Sequence, residues 1–247
     1  MLSTDLLDKT LSYFNQFQDE HFVVKPSLPI LYFGDTLSYK NSPVKIVTVG
    51  KNPSLNEFRL KKTDDYSFVR FPKWNEGSKN LQDCLDSYFE NNPLRSWFSS
   101  FEPILSGLNA SYYKGSKKIN LAIHTDVCSP LATDPTWSLL NDNQRGVLFK
   151  EGIALWKQLI EELEPDILLV SIPKNLFHEI FSSSGKELVV FENKKDGKER
   201  KKPYQVFLYE YQLRSKKVKV VFGQAANKPF DTISESQKFE IGKKCQG

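Results

Sequence analysis

Asn52 lies in Gly50-Lys51-Asn52-Pro53-Ser54, directly after the β-branched apolar run Val44-Lys45-Ile46-Val47-Thr48-Val49. An asparagine amide cannot serve as a general base, but its oxygen can orient a water and its dipole can support positive charge nearby. Asp126 heads a second polar segment, Asp126-Val127-Cys128-Ser129-Pro130-Leu131-Ala132, which follows Ile119-Asn120-Leu121-Ala122-Ile123-His124. A carboxylate accepts hydrogen bonds, and burial drives it toward the neutral acid, which also donates. A third junction of this kind runs from Val218-Lys219-Val220-Val221-Phe222 into Gly223-Gln224-Ala225-Ala226-Asn227-Lys228-Pro229. Together these residue types suit the holding of a water, the reading of a polar ring edge and the grip of a phosphate. Cys128 reads as a small buried hydrophobe rather than a nucleophile, and Asn52 and Asp126 also have ordinary uses as turn former and helix cap.

The elements that must carry these residues follow from apolar spacing. Leu6, Leu7, Leu11, Phe14 and Phe17 form a helical stripe over 3–19, followed by a Pro- and aromatic-rich loop over 26–43. A strand is predicted over 44–49, irregular chain with Phe58, Phe68, Phe71 and Trp74 over 51–76, and helices near 78–90 and 94–107. A second strand at 119–124, a helix over 144–163, a strand at 167–170 and a short helix over 174–182 come next. Runs 187–192 and 204–211 read as a hairpin turning at Asp196-Gly197, before a last core strand at 218–222 and a helix over 233–244. Alternating strands and helices predict an α/β fold with a parallel sheet covered on both faces. In such a sheet the three polar junctions share one end and converge on a cleft. One domain over 1–247 is expected, with 1–43 as an N-terminal helical extension and 187–211 as a hairpin insertion.

Composition narrows the class. With 39% hydrophobic and 13% aromatic residues, the 247-residue chain can bury a full core. No run approaches the ~20 apolar residues of a membrane span. Met1-Leu2-Ser3-Thr4-Asp5 lacks the basic and apolar regions of a secretory signal, so a cytoplasmic protein is expected. Cys84, Cys128 and Cys245 are too few for a four-thiolate site and suit a reducing compartment. His21, His124 and His178 show no metal-ligand spacing, and neither metal nor cofactor is expected. The net charge is +4, and the loop from Lys194 to Lys202 alone carries six basic and two acidic residues, 6 − 2 = +4. Such a run is either a solvated hairpin tip or a contact for a phosphate backbone, with Lys198, Arg200 and Lys201 as the candidate contacts.

Over residues 44–230 the three junctions resemble, in order and spacing, the motifs of the uracil-DNA glycosylase superfamily. Gly50 to Ser54 is closest to the mismatch-specific and single-strand-selective branches, which carry Asn where the uracil-specific enzymes carry Asp. Asp126 to Ala132 looks like the base-reading segment of the single-strand-selective branch, an Asn followed shortly by Cys-Pro-Leu. Gly223 to Pro229 occupies the place of the final, His-containing loop that wedges into DNA. The resemblance implies a three-layer α/β/α fold with a central four-stranded parallel sheet and a peripheral hairpin. It also implies a flipped-out nucleotide and hydrolysis of the N-glycosidic bond without a cofactor, by a monomer acting on DNA. On this reading Asn52 and Asp126 are catalytic. Gly50, Lys51, Pro53, Ser54, Phe71 and Cys128 form the base pocket, and Gln224, Asn227 and Lys228 hold the strand.

The departures sharpen the expectation. Asp126 stands where the superfamily has a base-reading Asn. A carboxylate accepts from the N4 amino group of cytosine, and its neutral form also donates to N3, whereas it suits uracil poorly. Ser54 replaces the bulky Tyr that excludes C5 substituents in the uracil-specific enzymes. The expected substrate is therefore a 5-modified cytosine (hydroxymethyl or glucosylated hydroxymethyl), as in phage-defence members of the superfamily. The final loop lacks its His, which leaves room for a uracil or mismatch-repair enzyme, or for a catalytically idle DNA-binding module. A third reading, with Gly50–Ser54 as the phosphate loop of another nucleotide-binding α/β protein, has only one Gly to support it.

Overall fold

The structure is a computed structural model that describes residues 2–75, 80–181, 184–223 and 228–246. Its strands, in chain order, are β1 (Ile46–Gly50), β2 (Ala110–Ser111), β3 (Asn120–Leu121), β4 (Ile123–Asp126), β5 (Ile167–Val170), β6 (Lys186–Asn193), β7 (Glu199–Gln212) and β8 (Lys217–Phe222). Two compact units arise from interleaved stretches of chain. The first comprises Met1–Leu37, Gly50–Leu94 and Ile123–Leu163; the second comprises Ser38–Val49, Arg95–Ala122 and Glu164–Gly247.

In the second unit β1, β5 and β8 lie side by side and parallel, with Val49 opposite Val170 and Val170 opposite Phe222. Ile46, Val47, Leu168, Leu169, Val220 and Val221 are fully buried, as expected of central strands with apolar packing on both faces. β7 then pairs antiparallel with β8, and β6 with β7, so the fold is α/β with a parallel centre and a peripheral antiparallel hairpin. The hairpin strands are longer than the apolar alternation predicts. Glu199 to Lys202 are strand rather than loop, because exposed charged side chains do not prevent backbone pairing along the hairpin. The turn shrinks to 194–198, where Lys194 N donates to Lys198 O at 2.8 Å and Gly197 adopts a φ of +82°.

The predicted strand at 119–124 is divided. Ile119 is exposed, β3 pairs parallel with β2, and the chain resumes as β4, which carries on to Asp126. The Asn120 side chain accounts for the break: its amide donates to Leu108 O at 3.1 Å and its oxygen accepts from Val44 N at 3.0 Å. The predicted helices at 78–90 and 94–107 are also broken. Ser87 turns its hydroxyl back onto Asp83 O and Cys84 O, and only a 3₁₀ turn (Tyr88–Glu90) follows the helix Leu81–Asp86. Pro103 begins a new helix, Glu102–Gly107, separate from Arg95–Phe98.

In the first unit the helix Thr4–Phe17 starts at Ser3, whose hydroxyl accepts from Leu6 N at 3.2 Å. Its Tyr13 hydroxyl donates to Leu148 O at 2.9 Å and shares a hydrogen bond with Ser129 Oγ at 3.0 Å. These bonds tie that helix to the helix Asp142–Leu163 and to the loop after β4. The long helix comes so near this loop that a Cβ on Gly152 would lie 2.3 Å from Cys128 O. No helix among the described residues is long and apolar enough to cross a membrane.

Gly152→Ala therefore forces the helix and the Cys128 backbone apart. Overpacking of this kind costs about 1–3 kcal/mol, which lowers the melting midpoint by roughly 2–10 °C in a domain of this size. A thermal melt followed by circular dichroism checks this; an unchanged midpoint would show that the loop yields without cost.

Candidate active site

Within the first unit, the C-terminal residue of β1 meets the end of β4. Val127 N donates to Gly50 O at 3.1 Å, and Cys128 N donates to Lys51 O at 2.8 Å. A Cβ on Gly50 would stand 2.4 Å from Asp126 Oδ1 and 3.0 Å from His124 Nε2, so only glycine admits both side chains. Asp126 and His124 are buried, and His124 Nε2 lies 3.6 Å from Asp126 Oδ1, an ion pair whenever the imidazole is protonated. β4 is held from its other side as well. Phe33 exchanges backbone hydrogen bonds with His124 at 2.8 and 3.0 Å, and Thr125 Oγ1 donates to Leu31 O at 2.8 Å.

After Gly50 the chain turns sharply. Asn52 Nδ2 donates to Pro53 O at 3.1 Å, which leaves Oδ1 to accept from a water. Ser54 accepts from Asn56 N at 3.1 Å and caps the 3₁₀ turn Leu55–Phe58. Lys51 is half-buried and reaches away, donating to Ser138 Oγ at 2.5 Å. Burial lowers the Lys51 pKa and the nearby Arg145 adds to this, while Cys128 and Asp126 oppose it.

Glu57, in the same turn, has no role in the motif reading, yet it is the most perturbed carboxyl of the site. It is fully enclosed; Tyr88 donates its hydroxyl to Oε2, and Arg70 Nε lies 3.8 Å from the same oxygen. Burial pushes its pKa from 4.5 up to about 8 against the opposing pull of Tyr88 and Arg70, and the charge of Asp126 adds to the rise. The Tyr88 hydroxyl is in turn raised well above its usual value, chiefly by burial. Arg70 is committed elsewhere too, to Asn92 O and, at 3.3 Å, to Asn56 O.

The structure brings Gly50, Lys51, Asn52, Pro53, Ser54, Asp126 and Cys128 into one unit, with Pro53 and Cys128 buried. Phe71 is also in this unit but packs in its core, 5.7 Å from Phe58 and 5.5 Å from Tyr88 between ring centroids. Tyr66, Phe68 and Trp74 are half-buried rings of that stretch. The other candidates belong to the second unit. Lys198 and Lys201 are exposed, with Lys198 3.6 Å from Asp196. Arg200 is anchored by Asn193 O at 3.1 Å and by Thr232, and lies over the Tyr204 ring. Lys228 is exposed, whereas Gln224 and Asn227 lie outside the described residues.

Two residues that motif reasoning passed over had signals in the sequence. His124 and Asp126 are two apart on a strand, a spacing that puts them on one face. Ser54-Leu55-Asn56-Glu57 is a capping-box pattern, but Glu57 turns inward to Tyr88 instead of back to the Ser54 amide. No protein-family model matches this chain, and no curated protein matches it in sequence.

A carboxyl whose folded pKa exceeds its unfolded value binds more protons in the folded state between the two. Stability therefore falls as pH rises from about 4.5 to about 8. Glu57→Gln should remove that slope and gain on the parent by a few kcal/mol at pH 8, with the gap closing toward pH 4.5. Urea denaturation across this range is the measurement, and parallel pH–stability curves would refute the assignment.

Proposed function

We propose that the chain is a monofunctional DNA N-glycosylase that releases a flipped-out, 5-modified cytosine and leaves an abasic site. The observation that carries this reading is the contact across Gly50, which holds the Asn52 loop beside the Asp126 carboxyl. The parallel register of β1, β5 and β8 supports the finer expectation of a four-stranded parallel core between helical layers.

In this mechanism the neutral Asp126 carboxyl donates to N3 of the base and accepts from its N4 amino group. As the C1′–N bond breaks, its electron pair leaves with the base and the Asp126 proton neutralises it at N3. Asn52 Oδ1 holds the water whose oxygen forms the new bond to C1′, and the proton that this water sheds restores Asp126. His124 positions Asp126, its Nε2 lying 3.6 Å from Oδ1. Protonated Glu57 spares the site a second negative charge near Asp126. Ser54, small and half-buried, leaves room beside C5. The exposed Lys194, Lys195, Lys198, Lys201 and Lys202 add nonspecific attraction for phosphates.

An abasic-site assay tests the reading. Oligonucleotides bearing uracil, a G·T mismatch, cytosine, 5-methylcytosine, 5-hydroxymethylcytosine or its glucosylated form are incubated with the protein, then cleaved with alkali. Cleavage confined to a modified cytosine is expected, reduced about 10²–10³-fold in Asn52→Ala. Cleavage at uracil would keep the enzyme class and overturn the base assignment. Binding without any cleavage would favour the idle DNA-binding module. Asp126→Asn should move preference toward uracil; an unchanged preference removes Asp126 as the reader. Ser54→Tyr should abolish turnover of glucosylated substrate while sparing bases without a C5 substituent, measured in the same assay.

A further inference from the structure

The second unit contains a cavity of about 340 Å³ between the helix Lys174–Ile180 and the hairpin strand β7, built from none of the residues assigned above. Its size falls at the small-ligand end of the roughly 300–1,000 Å³ typical of binding pockets. Phe207 is a half-buried ring on its wall, and Tyr209 and Phe222 form deeper wall. The deeper rings are fixed by Phe177, whose centroid is 4.8 Å from that of Tyr209 and 4.1 Å from that of Phe222. Lys174 and His178, four residues apart on one helical face, line the cavity and are exposed. Gln205 adds an amide whose Nε2 donates to Glu187 Oε2 at 3.2 Å and whose oxygen is left to accept, and no carboxylate is among the described lining residues.

Preformed aromatic walls take a flat ring, a cationic edge takes an anion, and an amide can meet a polar ring edge. A nucleotide joins all three features in one molecule. We propose that this cavity is a nucleotide-binding site, with the base stacked against Phe207 and the phosphate held by Lys174. Lys201 and Lys202, exposed and immediately before Pro203 of the lining, extend the positive charge for a further phosphate. The same chemistry is offered by a free mononucleotide and by one unit of a single strand.

Isothermal titration of the full chain with dTMP, thymidine, inorganic phosphate and octathymidylate tests the site. Saturable dTMP binding is expected, at least tenfold tighter than thymidine or phosphate alone. Octathymidylate binding tighter than dTMP identifies a strand as the ligand, and equal affinity identifies a free nucleotide. Lys174→Glu, at an exposed helical position, and Phe207→Leu should each weaken dTMP at least tenfold with the circular dichroism spectrum unchanged. The titration reads no bond cleavage and its variants lie outside the residues assigned to the glycosylase, so this test stands apart from that reading. Absence of saturable binding, or binding indifferent to Lys174→Glu and Phe207→Leu, overturns the proposal.

Discussion

The volume that a side chain at position 50 would fill is taken by the Asp126 carboxyl group and the His124 ring, and the organisation of the first unit follows from that exclusion. Two backbone hydrogen bonds at the same point lock the Asn52 turn to the end of β4. The loop beyond is held from its far side by a second glycine, where Gly152 lets a helix rest on the Cys128 carbonyl. The 126–128 stretch is thus gripped between two positions that tolerate no Cβ. Close packing of this sort fixes a polar side chain more firmly than a hydrogen bond alone, because displacement meets steep repulsion in both directions.

That rigidity has an electrostatic cost, which the surrounding residues limit. Asp126, Glu57, His124, Lys51 and Arg70 are brought close together with little water to screen them. Glu57 resolves part of the conflict by keeping its proton at neutral pH, and Tyr88 gives that carboxyl a hydrogen-bonded place. Lys51 resolves another part by turning to Ser138. The polar groups around Asp126 are therefore held in fixed geometry, the condition under which hydrogen-bond donors and dipoles act most strongly on a reacting group.

Much of the scaffold was legible where one physical signal dominated. The strand Ile167–Val170 and the helix Asp142–Leu163 appear within two residues of their predicted limits, because unbroken apolar sequence and a long 3–4 repeat leave few alternatives. The break between β3 and β4 was not legible: the run has no Gly or Pro, and the Asn120 side chain does the work of a turn through partners at positions 44 and 108. Glu57 was hidden for a similar reason. It lies in a polar stretch and resembles a surface residue, and its burial depends on Tyr88, 31 positions away, and on Arg70. Local patterns show which segments are strands; they do not show which charged side chain will be enclosed by distant ones.

The interleaving of the two units bears on how the chain can be made and divided. Each unit draws on three separate stretches, so no single cut yields either one whole. During synthesis the first unit has all its residues once Leu163 has emerged, while the second waits for the stretch that starts at Glu164. Strand β1 must meanwhile remain without its partner β5. A chain that stops before Glu164 would thus have a finished first unit and an apolar β1 without β5, a species prone to aggregation and open to proteases. Folding of the second unit therefore depends on the stretch from Glu164 onward, although Asn52 and Asp126 are made well before it.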